Sequence, residues 1–489
     1  MKVLIISYFT NWTTHFGTEL EIAQRHLDAG DEVEFLGCDR SLVRCEANPK
    51  GKISKCDRCR LRRCGGMKLL SEAVIEHSLG DYLPADIGDI EASIKKDFTD
   101  IKSAESFTYH GFDLGNGALS SAIWRLRDPQ CSDAEGIRLL LDFANAGLRS
   151  YLSVSRFLAA HPDIKKVYLF NGRFATTRGA LRACQQVPGL MLYTHERGAN
   201  VGKYALFKNA MPHNRALWTQ ETMAAWERAP DENEAMMIGE QCFISRRDGV
   251  NVEWKSFIEH QKKGILPVNW DSKRRNIVIF NSSEDEFVGF GEEWINPVYS
   301  MQANGIRKII TDAATRYPSL MFYLRMHPNL IGVDNLDTQL CHQLAQEGHA
   351  NFHLVAPDSD VSTYALLEGA DSVITFGSTM GVEATFWGKP SLLAGHALYE
   401  DLDAVYVSRD HEHLMDLIGE ITVAKPRVNA LKYGYYLMTF GDDFKHWVAK
   451  DFSHGLFRGQ AIDREPKSWI TRRVVMAWKN VFRRRPKAV

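Results

Sequence analysis

Residues 2–7 (KVLIIS) and 32–37 (EVEFLG) are short β-branched runs separated by a helical stretch, 16–29, that Gly30 closes. A chain that opens strand, helix, strand is committed to a parallel sheet with helices on its faces, because parallel neighbours need a crossover connection. The alternation continues. Residues 66–160 read as mostly helical, and strands return at 166–170 (KVYLF) and 190–193 (LMLY) with a helix between them. A polar, irregular stretch, 228–275, precedes a second series, which begins with 276–280 (NIVIF) and a long helix near 292–316. Further strands read at 320–325, 352–355, 372–376 and 390–394. The pattern predicts two Rossmann-like, doubly wound α/β domains with a cleft between them, at 1–262 and 263–455, joined by a linker near 262–275. A C-terminal helix is expected over 456–489.

Composition narrows the class. The 489 residues are 45% apolar and 25% charged, which is globular, and no apolar run approaches the ~18 residues of a membrane span. Lys plus Arg number 59 against 61 Asp plus Glu, yet the last 26 residues hold nine basic side chains and one acidic. The body is therefore acidic and the tail basic, which excludes a protein whose whole surface holds nucleic acid. In the tail, residues 468–485 (SWITRRVVMAWKNVFRRR) put Ile470, Val474, Ala477, Trp478 and Val481 on one face and most basic residues beside or opposite it. A basic amphipathic helix with Trp suits an anionic membrane surface, the alternative being a helix packed back on the N-terminal half. The segment Val3–Ser7 is too short for a signal-peptide core, and nine cysteines are no disulfide framework. A cytoplasmic protein, peripheral at the inner face of the cell membrane, is expected.

Open α/β sheets bind ligands beyond the carboxyl ends of their strands, so chemistry is sought there. The strand 320–325 runs into Arg325-Met326-His327-Pro328-Asn329, where Arg325 and His327 suit phosphate oxygens, unless the histidine only packs in a turn. The strand 372–376 ends in Phe376-Gly377-Ser378-Thr379-Met380-Gly381-Val382-Glu383. Ser378 and Thr379 open a helix whose first N–H groups face an anion, or they merely cap it, and Glu383 is placed to accept from ribose hydroxyls. Asn281-Ser282-Ser283-Glu284-Asp285-Glu286 is a third polar strand end.

The turn RMHPN with FGSTMGVEATFWGKPSLLAG and FNSSEDEF resembles the bacterial capsule-polysaccharide glycosyltransferases of GT-B fold, the Kdo-transferase and polysialyltransferase-like enzymes with an HP and a Ser-Ser/Thr motif. The resemblance covers much of 276–400 and is looser before it. It implies a metal-independent glycosyltransferase that moves a sugar from a nucleotide-activated donor, often a CMP-sugar, to a surface polysaccharide or lipid-linked glycan. It places His327, Ser378 and Thr379 on the donor phosphate; Arg325, Glu383, Ser282 and Ser283, read from the strand ends, join them as donor-binding candidates. Alternatives within the fold are a polyol-phosphate transferase and a nucleotide-sugar epimerase.

In the N-terminal half, Asn171 and Arg173 follow a strand, with Arg178 one turn on, and Thr194-His195-Glu196-Arg197 is read as the loop after the next strand. A carboxylate or histidine must take the acceptor proton, so Glu196, then His195, is the candidate base, unless the loop is only salt-bridged. His15 and Glu19 at the start of the first helix also suit the acceptor side or the surface. Cys45, Cys56, Cys59 and Cys64, in an insertion over 45–64, have the C-x10-C-x2-C-x4-C spacing of a structural zinc or of free thiols. Arg58, Arg60, Arg62 and Arg63 would favour thiolates there. A non-enzymatic zinc-ribbon protein is the remaining alternative.

Overall fold

The computed structural model describes residues 1–98, 100–250, 258–451 and 453–462. The described residues form two compact units: 1–121, 137–212 and 441–462 make the first, and 122–136 with 213–440 make the second. The division expected at 262 thus lies at 212, and 122–136 and the residues after 440 change sides. The helix Arg215–Glu227 precedes the stretch 228–275 that reads as polar and irregular, and the helix Glu232–Arg247 arises within it. The second of them packs in the second unit against the helix Arg427–Thr439. Gly239 and Gly434 let those two backbones meet, because a Cβ on either would stand 2.6 Å from a carbonyl oxygen of the opposite helix.

In the first unit, β1 (Lys2–Ser7), β2 (Glu32–Gly37), β3 (Ile75–Ser78), β4 (Lys166–Phe170) and β5 (Met191–Arg197) are parallel, in the order β5-β4-β1-β2-β3. The strand β3 falls in a stretch that reads as helical. An antiparallel strand, β6 (Lys203–Lys208), extends the β5 edge and pairs in turn with Asp442–Asp443. Val3, Ile5, Val33 and Phe35 bury one face against Phe16 and Leu20 of α1 (Thr13–Asp28) and against Trp447 and Phe457. Those last two belong to a small antiparallel sheet, Trp447–Ala449, Gly455–Phe457 and Gln460–Ala461. A Cβ at Gly17 would lie 2.5 Å from the Trp447 ring, so this sheet fits α1 only where the side chain is hydrogen. The buried Glu21 secures it further by accepting the N–H groups of Lys445, His446 and Trp447 at 2.8, 2.7 and 2.9 Å. The start of the helix expected over 456–489 is therefore strand, and residues 468–485 lie outside the described residues.

The second unit holds β7 (Asn276–Phe280), β8 (Met321–Arg325), β9 (Phe352–Val355), β10 (Ser372–Thr375), β11 (Ser391–Leu393) and β12 (Tyr406–Val407). All are parallel, in the order β12-β11-β10-β7-β8-β9, which is the 3-2-1-4-5-6 Rossmann order read from the other edge. Ile277, Ile279, Phe322 and Leu324 bury one face with Ile306, Ile309 and Leu414. Val278, Phe280, Met321 and Tyr323 bury the other with Leu366, Leu367 and Ala384. Both faces are covered, which is why the strands read as unbroken apolar runs. The helix expected over 292–316 starts only at Gln302, since Pro297 withholds an N–H and bars the helical region to Asn296. Both units are Rossmann-like, as the alternation of strands and helices predicts.

Candidate active site

In a 3-2-1-4-5-6 sheet the order reverses between β7 and β10, and their carboxyl ends flank the ligand crevice. Gly377, after β10, has φ +120°, and a Cβ there would stand 2.7 Å from the His396 carbonyl oxygen and 3.6 Å from Ser282 Oγ. Only glycine suits that position, and the exits of β7 and β10 adjoin. Asn281 accepts the His327 N–H at 2.7 Å, which ties the β8 exit to that of β7. Asn281 Nδ2 and Ser282 Oγ are buried and have no hydrogen-bond partner in the described structure. Unsatisfied buried polar groups are costly, so they mark a place where a polar ligand belongs.

His327 accepts the Asn329 N–H on Nδ1 at 3.1 Å, which puts the proton of a neutral ring on Nε2. Burial, with the Arg325 charge beside it, pushes this imidazole down to about 4. At neutral pH His327 is therefore an uncharged donor. Ser378 Oγ accepts the Met380 N–H at 3.3 Å. Thr379 donates to Glu383 at 3.1 Å, and Glu383 also accepts from Arg246 at 3.1 Å and from Tyr364 at 2.7 Å. Both carboxylate oxygens of Glu383, placed by the sequence against a ribose, thus have partners, and the side chain is buried.

Arg325, expected on the phosphate, is turned away from it. The residue is 1% exposed, and its guanidinium donates to the Ala356 and Ser359 carbonyls and to Thr363 Oγ1. Ser283 hydrogen-bonds Asp285, and both engage Arg127, whose Nη2 lies 3.2 Å from Ser283 Oγ and whose Nε lies 3.0 Å from Asp285 Oδ2. Arg127 and Arg246 carry no motif in the sequence, and only the packing brings them to the strand ends. Gln302 holds Ser282 in place through its N–H at 3.0 Å and its carbonyl at 2.7 Å. Glu284 and Asp337, both pushed up by burial and Glu284 further by the Asp337 charge, accept the Gln302 and Ala303 N–H groups at the head of that helix.

The first unit reverses its order between β1 and β4. Asn171, after β4, adopts φ +56°, accepts the Arg173 N–H at 3.0 Å and donates to Glu196 Oε2 at 2.7 Å. Glu196 and His195 lie within β5 and not in a loop after it, because pairing with β6 prolongs the strand to Arg197. Alternation along the strand then separates the two side chains. His195 is fully buried, 3.8 Å from Glu19, which hydrogen-bonds Ser7. That environment gives an acceptor no access to His195. Glu196 is partly exposed, with His15 Nδ1 at 3.8 Å. Burial alone would raise its pKa, but His15, Arg197, the Arg197 N–H and Asn171 together hold it below the ordinary value. Burial pushes His15 down to about 4, with its ring 4.1 Å from that of Phe170. Arg173 donates to Ser120 at 3.0 Å, and the buried Arg178 pairs with Asp113 at 3.4 Å.

The four cysteines do not fit a zinc site. Cys56, Cys59 and Cys64 lie on α2 (Ile53–Met67), so the C-x2-C pair is a helix flank and not a knuckle. Cys59 Sγ meets Thr10 at 3.0 Å and the Tyr8 carbonyl at 3.4 Å, Cys56 Sγ accepts from Asn48 at 3.2 Å, and Cys64 Sγ faces Glu76 at 3.9 Å. Among the described residues Asp312, His411 and Glu412 are the only such set whose donor atoms lie within 4.8 Å of one another. Lys308 and Arg316 pair with its two acids. Burial pushes the Cys45 and Cys56 thiols up, against the expectation of thiolates, and Arg63 spends its charge on Glu76 at 3.0 Å.

Residues 267–403 match the family model of the capsule polysaccharide biosynthesis proteins. That stretch holds the Asn281–Glu286 turn, the His327 turn and the Gly377–Glu383 motif, so the resemblance read from them is borne out there. No curated protein matches the chain in sequence. Among solved structures, the Thermosulfurimonas dismutans KpsC β-Kdo 2,4-transferase is similar at 14% identity and TM-score 0.37, over 56% of this chain and 80% of that one. The KpsC β-Kdo 2,7-transferase of the same organism shows 15% identity and TM-score 0.35, over 58% and 79%. The UDP-GlcNAc 2-epimerase of Neisseria meningitidis, bound to UDP-GlcNAc, shows 10% identity and TM-score 0.29, over 98% and 100%. These likenesses are weak, and the fold rests on the strand orders themselves. Among the described residues no helix is long and apolar enough to cross a membrane.

Proposed function

We propose that the protein is a glycosyltransferase of GT-B type that moves a sugar from a nucleotide-activated donor, a CMP-sugar being the first candidate, to a surface polysaccharide or its lipid-linked precursor. The observation that carries this reading is the pair of unsatisfied buried groups, Asn281 Nδ2 and Ser282 Oγ, at the switch point of the second unit beside His327 and Gly377. The second unit binds the donor phosphate through these groups and Ser378. As the bond from the anomeric carbon to the phosphate oxygen breaks, its electron pair stays on the phosphate, and the neutral Nε2–H of His327 stabilises that charge as a preorganised donor. The first unit supplies Glu196, which takes the proton of the acceptor hydroxyl as the oxygen bonds to the anomeric carbon. Asn171 and the Arg197 N–H hold this carboxylate ionised at neutral pH. Thr379 and Glu383 act one layer back: they fix the turn, and Arg246 keeps their charge balanced. The basic amphipathic pattern of residues 468–485 supports a peripheral position on an anionic membrane, where a lipid-linked acceptor is found.

The test is thermal stabilisation by a panel of CMP-, UDP-, GDP- and CDP-linked donors, with wild type and His327→Ala compared. One donor class stabilises the wild type and the variant loses the response. A panel without effect, or a variant that responds like the wild type, refutes the donor site.

A further inference from the structure

Arg325 is occupied with carbonyls beneath the β9 exit, so the strand-end site of the second unit needs its cation from elsewhere. Arg127 stands at that place. It follows the helix Leu114–Leu126 and belongs to the segment 122–136 that packs with the second unit. Its carbonyl accepts from Asn335 Nδ2 at 3.1 Å, which fixes the backbone there. Its Nε and Nη2 donate to Asp285 and Ser283, and the side chain remains 34% exposed. Those two bonds use two of five N–H groups in a fixed fork, so the guanidinium keeps donors for a further oxygen ligand. Ser283, which Arg127 holds, directly follows Ser282, whose unsatisfied hydroxyl faces the Gly377 turn. The backbone adds an independent sign. Arg127 has φ +59°, the left-handed residue just past a helix, where glycine is the favoured occupant. An arginine held there against that preference points to a role for its side chain.

We propose that Arg127 binds the phosphate of the nucleotide donor, with Asp285 as the counter-ion and Ser283 as the second partner of its guanidinium. This rests on the reading of the second unit as the donor site. The phosphate oxygen takes the remaining N–H donors of the fork. As the glycosyl bond breaks and the electron pair settles on the phosphate, the fixed positive charge meets it.

The experiment is calorimetric titration of the full chain with CMP, UMP and GMP, and with the matching nucleosides and inorganic phosphate. For the monophosphate that binds best, Arg127→Gly and Arg127→Lys weaken binding by about tenfold or more, as expected for a lost charge-assisted hydrogen bond, while the nucleoside binds as before. Asp285→Asn releases the guanidinium from its counter-ion, and phosphate binding is kept or tightened. A purely structural ion pair predicts the reverse: either end, when removed, weakens binding alike, and that result overturns the proposal. So does an Arg127→Gly protein that binds the monophosphate like the wild type. Should Arg127→Gly fail to fold, Arg127→Lys decides, because it keeps the charge and loses the fork. A wild type that binds none of the monophosphates overturns the donor-site reading itself, and the role of Arg127 with it.

Discussion

Two histidines make the protein sensitive to mild acid, and the size of the effect follows from their surroundings. His15 in the first unit and His327 in the second are each pushed from 6.5 down to about 4, in both cases first by burial. The charges of Glu196, His195 and Arg197 act on His15, and those of Arg325, Asp285 and Arg127 act on His327. A histidine whose folded pKa is depressed leaves the unfolded chain to take the proton first as pH falls. Its contribution is therefore complete above about 6.5 and is lost as pH drops towards 4. Integrating that window from neutral pH to about pH 5 gives a loss of about 2 kcal/mol per histidine. Glu284 and Asp337 act in the opposite sense, since carboxyls held above their ordinary range bind protons more readily folded than unfolded. In the second unit they therefore offset the histidine loss, which the His327→Gln comparison isolates. Urea denaturation at about pH 7.5 and about pH 5, on wild type, His15→Gln and His327→Gln, measures each term. His15→Gln removes about 2 kcal/mol of acid sensitivity from the unfolding step of the first unit, and His327→Gln does the same for the second. A variant that loses as much stability on acidification as the wild type refutes the claim that its imidazole is held neutral.

Glu196→Gln keeps the shape of the acceptor-side site and removes its proton acceptor, so sugar transfer falls by about 10²- to 10⁴-fold while donor-induced thermal stabilisation is unchanged. Glu21→Gln replaces one of the two carboxylate oxygens that share three backbone N–H groups by a donor, and destabilises the first unit by about 2–4 kcal/mol in denaturant titration. A chain ended at Asp463 loses binding to vesicles rich in anionic lipid and keeps the response to the donor. Unchanged vesicle binding would place the membrane contact outside the basic tail.

The strand series and its polar exits were legible because parallel strands buried on both faces are continuous apolar runs, and such runs end visibly in Asn281-Ser282, His327-Pro328 and Gly377-Ser378. The period of two along β8 also carried the fate of Arg325. It shares a face with Met321 and Tyr323, so its side chain runs towards that face and its covering helix, beside the strand end. What stayed hidden depends on register and on distant packing. Nothing local marks Lys203–Lys208 as the antiparallel partner that prolongs β5 and draws Glu196 into a strand. The spacing C-x2-C is the same on a knuckle and on a helix, and the helix is decided by contacts such as that of Gly66 with Phe16 and Leu20. Arg127 reads as one more basic residue near a helix end, and its left-handed backbone is visible only in three dimensions.

The two arginines that complete the second unit share an origin that explains its boundary. Glu383 is held by Arg246 and Asp285 by Arg127, and both carboxylates are almost wholly buried. Each arginine comes from a part of the chain that precedes β7, one from the helix Glu232–Arg247 and one from the segment 122–136. Both also lie outside the stretch 267–403 that carries the family match. Removing the partner of a buried charge costs about 3–5 kcal/mol, because the remaining charge stays desolvated without compensation. A unit begun at residue 263 would leave two such charges at the mouth of its own sheet, a penalty comparable to the whole stability of an ordinary domain. The strand series from 276 onward therefore supplies the frame of the strand-end site. Its charge balance comes from sequence that has no strand pattern at all, which is why a boundary drawn from strand patterning falls some fifty residues too late.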